Sequence, residues 1–452
     1  MSLSSYIPFY KRNLRVAFPI IITQAGQIIV QFVDNVMVGH LGAAQLAGVS
    51  FANAVFLIGL VCSLGFAIGT TPIAGKYLGS NDDKSVAKTF SNSFFLNIIV
   101  GILLTIILIG VGFLMNFMGQ QPEVLHYAKN YYFINVGSVI FLSIFFCIRY
   151  FSEGIGNTRY AMWITIICNI LNIFLNWVLI YGKFGIKPLG VEGAALATFI
   201  SRTLSAIAFV ILILKKEEYL RFLRLIKRPF IDRKSLKEIL KISIPSATQG
   251  LCEEGLFSLC AIIVGWIGTY ELAAHQIGQN LSTLTFMVST GIGSAATIRV
   301  SHQYGARRYK DMKMAAIASL HMSIAFMLFC AIIFVIFNKN IPAIFTNDTN
   351  VFPIASTIIW IVAAYQIFDA TQLGCISALR GIGDVKVPLY MAVFSYYIIC
   401  IPVGLILAFW VGLGVYGIWI GLLIGLMTAS ILFYVRLNRM MDRIIKANCT
   451  EE

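Results

Sequence analysis

Four carboxylates, Asp34, Glu253, Glu254 and Asp369, fall inside runs of this chain that are otherwise apolar. Holding an ionised acid away from water is costly, so such acids face a partner or a water-filled cavity and mark where an ion, a proton or a charged solute is handled. The polar residues around them have helical spacing. Gln24, Gln27, Gln31 and Asp34 recur at i, i+3, i+7 and i+10, which is one helical face. Thr165, Asn169, Asn172 and Asn176 make a second stripe, Gln249 and Glu253 a third, and Tyr365, Asp369 and Gln372 a fourth. Neighbouring helical residues are turned about 100° apart, so Glu253 and Glu254 cannot share a partner. Glu253 shares the face of Gln249 and is the cavity candidate, while Glu254 either neighbours a second polar pocket or is a protonated acid satisfied by a backbone carbonyl. Two chemistries suit these acids. A carboxylate that moves between apolar and hydrated surroundings takes up and releases a proton. Alternatively, Glu253 and Asp369 with amide oxygens offer an all-oxygen site for a hard cation such as Na⁺.

The elements that must position these side chains are membrane helices. Of the 452 residues 58% are hydrophobic and only 12% charged, and apolar runs recur along the whole chain. A span needs roughly 20 apolar residues. About twelve such runs are expected, near 14–36, 46–74, 90–116, 128–151, 160–181, 190–214, 238–263, 271–299, 313–337, 351–378, 385–410 and 413–435. Alternation of the barrel type is missing, so the fold class is an all-α integral membrane bundle. The N-terminal run is long and polar-spotted, unlike a cleavable signal peptide.

Basic residues fall in alternate loops: Lys11, Arg12 and Arg15; Lys76, Lys84 and Lys88; Arg149 and Arg159; Arg307, Arg308, Lys310 and Lys313. Lys183 and Lys187 are the exception. The positive-inside rule places both termini and the long central loop in the cytoplasm, with the chain multi-pass in the cytoplasmic (inner) membrane. The central loop, KKEEYLRFLRLIKRPFIDRKSLK, carries much of the net charge of +14. Topology and anionic lipid account for it better than nucleic acid does. Its position divides the chain into an N-terminal lobe at 1–214, a basic linker at 215–237, and a C-terminal lobe with a short tail at 238–452.

The two halves are related by duplication. VGHLGAAQLA from Val38 matches VGWIGTYELA from Val264, a separation of 226 (264 less 38). Pro19 and Pro245, Gly65 and Gly291, and Gly79 and Gly305 keep that separation. GIGN from Gly154 matches GIGD from Gly381, and GVEG ending at Gly193 matches GVYG ending at Gly417. Two parallel six-span repeats are common in secondary transporters, with the solute handled between them. The acids do not repeat: Glu253 corresponds to Gln27, and Asp34 to Cys260.

Other chemistries find little support. Cys62, Cys147, Cys168, Cys252, Cys260, Cys330, Cys375 and Cys400 lie in or near spans without a CxxC and read as packing residues. No metal-ligand spacing and no GxxxxGK[ST] occurs, so neither a metal, a cofactor nor ATP is expected. His275 reads as a packing or capping residue. Arg202, deep in the sixth span, reads as a structural charge for which Asp34 and Glu192 are the candidate partners.

The FVDNVMVGHLG segment with Asp34, the VGWIG and LAAHQIG sequence after Glu253, and the turns RYFSEGIGNTR and ALRGIGDVK resemble the multidrug and toxic compound extrusion family over nearly the whole chain. Glu253, Asp369 and Tyr365 resemble its NorM-like subgroup. The resemblance implies a V-shaped pair of lobes alternating between inward-open and outward-open states. It also implies export of amphipathic, often cationic drugs by antiport against Na⁺ or H⁺; the short loops between spans, with no soluble domain, are read separately as a protein that acts as a monomer. In that reading Glu253, Tyr365 and Asp369 form the C-lobe cation site, and Asp34 is the N-lobe acid with Asn172 as its neighbour. Two rival readings are a lipid-linked glycan flippase, which calls for a more basic cavity, and a membrane-embedded enzyme, which calls for a nucleophile–base or metal constellation.

Overall fold

The computed structural model describes residues 3–226, 231–346 and 348–449. Part of the basic linker, 227–230, therefore lies outside the described residues. Eleven helices there are long and apolar enough to cross a membrane, and the pair Pro122–Gly137 and Val139–Gly154, bent by 48°, brings the number to twelve when counted as one span. Helices and their connecting turns account for the spans that hydropathy predicts.

In chain order the long helices are α1 (Ile7–Gly39), α2 (Ala43–Ile68), α3 (Thr70–Gly79), α4 (Asp83–Leu114), α5 (Pro122–Gly137), α6 (Val139–Gly154), α7 (Thr158–Tyr181) and α8 (Gly190–Lys215). The short α9 (Glu217–Leu223) leads to α10 (Arg233–Ile267), α11 (Thr269–Gly305) and α12 (Tyr309–Ile336). After α13 (Ile341–Phe345) come α14 (Val351–Gly381), α15 (Lys386–Val393), α16 (Ile401–Leu405) and α17 (Val415–Cys449). Two π-helical stretches, Phe394–Cys400 and Ile406–Trp410, flank α16. Asp82 caps α4, accepting from the Ser85 backbone N–H at 3.0 Å and from its hydroxyl at 2.6 Å.

The chain forms two compact units, one of residues 22–247 and the other of 1–21 with 248–452. These do not coincide with the lobes expected at 1–214 and 238–452. The reason lies in α1 and α10, each of which begins in one unit and continues in the other. Each carries an internal proline, Pro19 and Pro245, and changes unit just after it, at Ile21 and Ala247. Proline removes a backbone hydrogen bond and loosens the helix there. Composition and spacing gave no sign of this exchange.

The exchange obeys the repeat. Gly291 packs against Ile21 in one unit, and Gly65 packs against Ala247 in the other; with a separation of 226 these are the same contact. Neither glycine has room for a Cβ. Gly65→Val and Gly291→Val are therefore each expected to cost about 1–3 kcal/mol through overpacking, read as lowered thermal unfolding temperatures of the detergent-solubilised protein. Gly110→Val, where the added group meets nothing within 4 Å, is the control and should leave the midpoint unchanged.

Backbone turns repeat as well. Asn81 and Arg307 are left-handed at φ 57 and 58, and Gly156 and Gly383 at φ 87 and 81. Asp82 N–H donates to the Tyr77 carbonyl, and Arg308 N–H to that of Gln303, both at 3.0 Å. An arginine is an unfavourable occupant of this region, so the turn at Arg307 is held by the helices on either side of it.

Each unit has its own core. In the first, α2, α4, α5, α6 and α8 pack around Tyr132, Phe151 and Phe209. In the second, α11, α12, α14 and α17 enclose Trp419, Tyr396 and Phe433.

Candidate functional site

Polar side chains at membrane depth collect in each unit, and the two collections differ. In the unit of 22–247, α1 brings Asp34 beside α7. Asn176 donates to the Asp34 carboxylate and, from the same amide nitrogen, to Asn172 Oδ1 at 3.2 Å. Asn176 is fully buried and Asn172 nearly so. The resemblance made Asn172 the neighbour of Asp34, but the contact belongs to Asn176, one turn further along α7, with Asn172 behind it. Asn169, another turn back, is half-buried with an amide nitrogen that finds no hydrogen-bond partner and lies close to Gly26. Gln27 is half-buried and Gln31 exposed.

Arg202 corrects a second expectation. Its guanidinium donates to Ser138 Oγ at 2.9 Å and Asn135 Oδ1 at 3.2 Å, and it lies over the Phe56 ring at 4.9 Å. Its hydrogen bonds go to neither Asp34 nor Glu192, and Glu192 instead accepts from Asn130 at 2.8 Å. Neutral oxygens on α5 and its C-cap satisfy the charge, although Asp34 is near enough to attract it.

Gln24 leads to a group that the sequence did not single out. Arg149 donates to Glu153 Oε1 at 2.9 Å and to Gln24 Oε1 at 3.2 Å, and both charged side chains are almost completely buried. By the positive-inside pattern Arg149 is a topological charge at a loop, but the structure buries it within α6. The i, i+4 pairing of Arg and Glu in RYFSEG was the available signal.

In the other unit, α14 presents Tyr365, Asp369 and Gln372 from one buried face, each 2% exposed. Gln372 donates to Glu253 Oε1 of α10 at 3.3 Å, and the Glu253 and Asp369 carboxylates are near enough to act on each other electrostatically. Asp369 Oδ2 is buried without a hydrogen-bond partner, as are the side-chain oxygens of Gln372 and Gln366. Gln366 is tied through its nitrogen to Thr285 Oγ1 at 2.9 Å, which aims its oxygen elsewhere. Gln249 is buried one turn from Glu253 on α10, whereas Glu254 is exposed, as the helical rotation requires.

Tyr396 was missed by sequence reasoning. It is fully buried in the π-helical stretch Phe394–Cys400 and near enough to interact with both Glu253 and Asp369. Next to it, Tyr397 donates to the Cys252 carbonyl at 2.9 Å. π-Helical turns widen a helix locally and gather at functional sites, but no residue pattern announces one.

Chemically, this second collection is two carboxylates with surplus oxygen acceptors and few donors. Such a set favours an added proton or a hard cation, which adds positive charge beyond that of Arg380, near enough to act on Glu253. Among the described residues no group of three or more His, Cys, Asp or Glu side chains could hold a metal ion. A cation here would rely on amide and phenol oxygens in addition to the two acids.

The family model described as MatE matches residues 19–178 and 245–406, two segments that begin at the repeat-related Pro19 and Pro245. The chain is 32% identical to a "Probable multidrug resistance protein NorM" of Photorhabdus laumondii, over 96% of this chain and 97% of that one. It is 30% identical to the "Multidrug resistance protein NorM" of Photobacterium profundum, over 95% and 96% respectively. In fold it is similar to a multidrug resistance MATE family transporter of the MOP superfamily solved in an outward-facing conformation, with TM-score 0.89, 21% identity and 97% of each chain covered. The eukaryotic MATE transporter AtDTX14 superposes with TM-score 0.86 at 19% identity, over 97% of this chain and 99% of that one. Matched in both repeats by one family model and along nearly its whole length by NorM relatives, the chain belongs to the MatE family and is NorM-like within it.

Proposed function

We propose that this protein is a multidrug efflux transporter that exports amphipathic, often cationic compounds by antiport against Na⁺ or H⁺. The observation that carries the reading is the buried Asp369 carboxylate, facing Glu253 on a membrane helix with one oxygen left without a hydrogen-bond partner. An acid kept in that condition is expensive unless an ion or proton occupies it during the working cycle. The names of the full-length NorM relatives supply the class of solute.

In this reading Glu253 and Asp369, with Tyr365 beside them, bind the coupling ion. Gln372 donates to Glu253 and holds it in place, and Gln249 is a supporting amide on the same helical face. Asp34 is the acid of the other unit, for a proton or for the charge of a cationic solute, oriented by Asn176 and through it Asn172. Asn169, Gln24, Gln27 and Gln31 are cavity or supporting amides. Arg202 is a structural charge. The protein works as a monomer in the cytoplasmic membrane, with its termini and basic linker (215–237) on the cytoplasmic side, and needs no cofactor.

Purified protein in proteoliposomes loaded with ethidium tests the proposal. Export should be driven by an imposed Na⁺ gradient, a pH gradient or both, and should cease when the gradients collapse. Ethidium movement indifferent to both gradients would overturn it.

A further inference from the structure

The start of α1 packs on α11 and α12 within one unit. Gly291 meets Ile21, and Ala295 shares a small apolar cluster with Ala17, so α1 and α11 run antiparallel in a register that brings Arg299 level with Asn13. Asn13 is fully buried and donates to the Ala315 carbonyl of α12 at 3.0 Å and to Ser319 Oγ at 2.8 Å. One turn earlier, the Tyr10 hydroxyl is hydrogen-bonded to His321 Nδ1 at 2.9 Å. These contacts hold α1 where Arg12 stands beside Arg299, and the two guanidinium groups are near enough to repel each other. Arg299 Nε and Nη2 are buried without a hydrogen-bond partner. Asp311, in the first turn of α12, is near enough to attract Arg299, but among the described residues the Arg299 guanidinium is in no ion pair.

The repeat shows what this position does when it is satisfied. Arg12 corresponds to Glu238 (238 less 226) near the start of α10, and Glu238 accepts from Lys76 at 3.4 Å and from the Tyr77 hydroxyl at 2.8 Å, both on α3. An acid there ties the incoming helix to its neighbour. Arg299 corresponds to Ile73 (299 less 226), which is 2% exposed, so the fold takes an apolar residue where Arg299 stands. In this unit the acid is replaced by a base, and a second base stands opposite it. Water would meet the N–H groups, and so would Gln303 Oε1, one turn further along α11 and likewise buried without a partner. Neither offsets the two positive charges. Guanidinium groups present paired donors that match the oxygens of a phosphate. Arg299 also lies at a suitable depth. It is six residues from the end of α11 at Gly305 (305 less 299), close to Arg307, Arg308 and Lys310. With 37 residues, α11 is about 55 Å long and overruns a hydrocarbon core of about 30 Å, which puts Arg299 among the headgroups.

We propose that Arg12 and Arg299 bind a phosphate group between them, and that this anion ties the start of α1 to α11 as Glu238 ties the start of α10 to α3. The ligand class is a phosphate anion, carried by an anionic lipid headgroup or free in solution. The site is separate from the acids of α10 and α14 and does not depend on their role.

Thermal unfolding of the purified full-length protein, delipidated in a neutral detergent, tests this with two probes. One is inorganic phosphate compared with chloride at equal ionic strength; the other is phosphatidylglycerol compared with phosphatidylcholine. At least one should raise the wild-type midpoint by about 2–4 °C, as a ligand of the folded state does. A response to inorganic phosphate makes a soluble anion sufficient, and a response to phosphatidylglycerol alone identifies a lipid headgroup. R299M, apolar like Ile73, should lose the response. R12E should lose it too, and should unfold at a higher temperature than the wild type in chloride alone, because the carboxylate it introduces pairs with Arg299. Arg12 is exposed, so R12E keeps the test decisive if R299M folds poorly. A wild type that responds to neither probe overturns the proposal, and so does a response of wild-type size in R12E.

Discussion

Asp369→Asn is expected to abolish ion-driven export while leaving the protein folded in the membrane. The substitution keeps the size of the side chain and its place on the buried face shared with Tyr365 and Gln372, but removes the charge that a proton or cation neutralises. Each elementary charge moved through 100 mV is worth about 2.3 kcal/mol, enough to sustain roughly a 50-fold solute gradient. A variant that cannot bind the ion loses that whole drive, so accumulated ethidium should equilibrate rather than be expelled. Glu253→Gln should impair export in the same direction, because Glu253 faces Asp369 and accepts from Gln372 at 3.3 Å. Unfolding midpoints in detergent should stay at or above that of the wild type, since relieving a buried carboxylate removes a desolvation cost.

The second large effect concerns stability. Arg149 and Glu153 are each 2% exposed, joined at 2.9 Å, and tied to α1 through Gln24. Replacing one member of a buried pair strands the other charge, which typically costs about 3–5 kcal/mol. Arg149→Met should therefore unfold markedly more easily than the wild type and carry less folded protein to the membrane. The double replacement R149M/E153L, which strands nothing, should recover most of that loss, because well-packed apolar residues often replace a buried pair at little cost. Denaturant unfolding of the three proteins decides it: a double variant as unstable as Arg149→Met would show that the pair acts by packing and not by mutual neutralisation.

Much of this could be read before any helix was placed. The i, i+4, i+7 spacing of Tyr365, Asp369 and Gln372 put them on one face, and α14 buries that face. The separation of 226 that relates Pro19 to Pro245 and Gly65 to Gly291 reappears as repeated turns and as the paired contacts of Ile21 and Ala247. Facing partners were harder, because periodicity states which residues share a side of a helix and not which helix lies opposite. Spacing leaves any amide of the Asn169, Asn172 and Asn176 stripe as a donor to Asp34 and the resemblance implies Asn172, where Asn176 makes the bond; the acids that are candidate partners of Arg202 give way to Asn135 and Ser138. Tyr396 was hidden for a different reason: a π-helical stretch changes the residues per turn, so α-helical spacing places its side chains on the wrong face. The division of α1 at Ile21 and of α10 at Ala247 between units was beyond reach too, since spacing and composition do not state which unit a helix segment packs into.

The central claim is that the acids of the second unit couple an ion gradient to solute export. Proteoliposomes containing wild-type or D369N protein, loaded with ethidium and given a Na⁺ gradient or a pH gradient in turn, test it most directly. The account predicts gradient-dependent ethidium export by the wild type and none by D369N under either gradient, with equal amounts of folded protein in the bilayer. Export by D369N at the wild-type rate would contradict it.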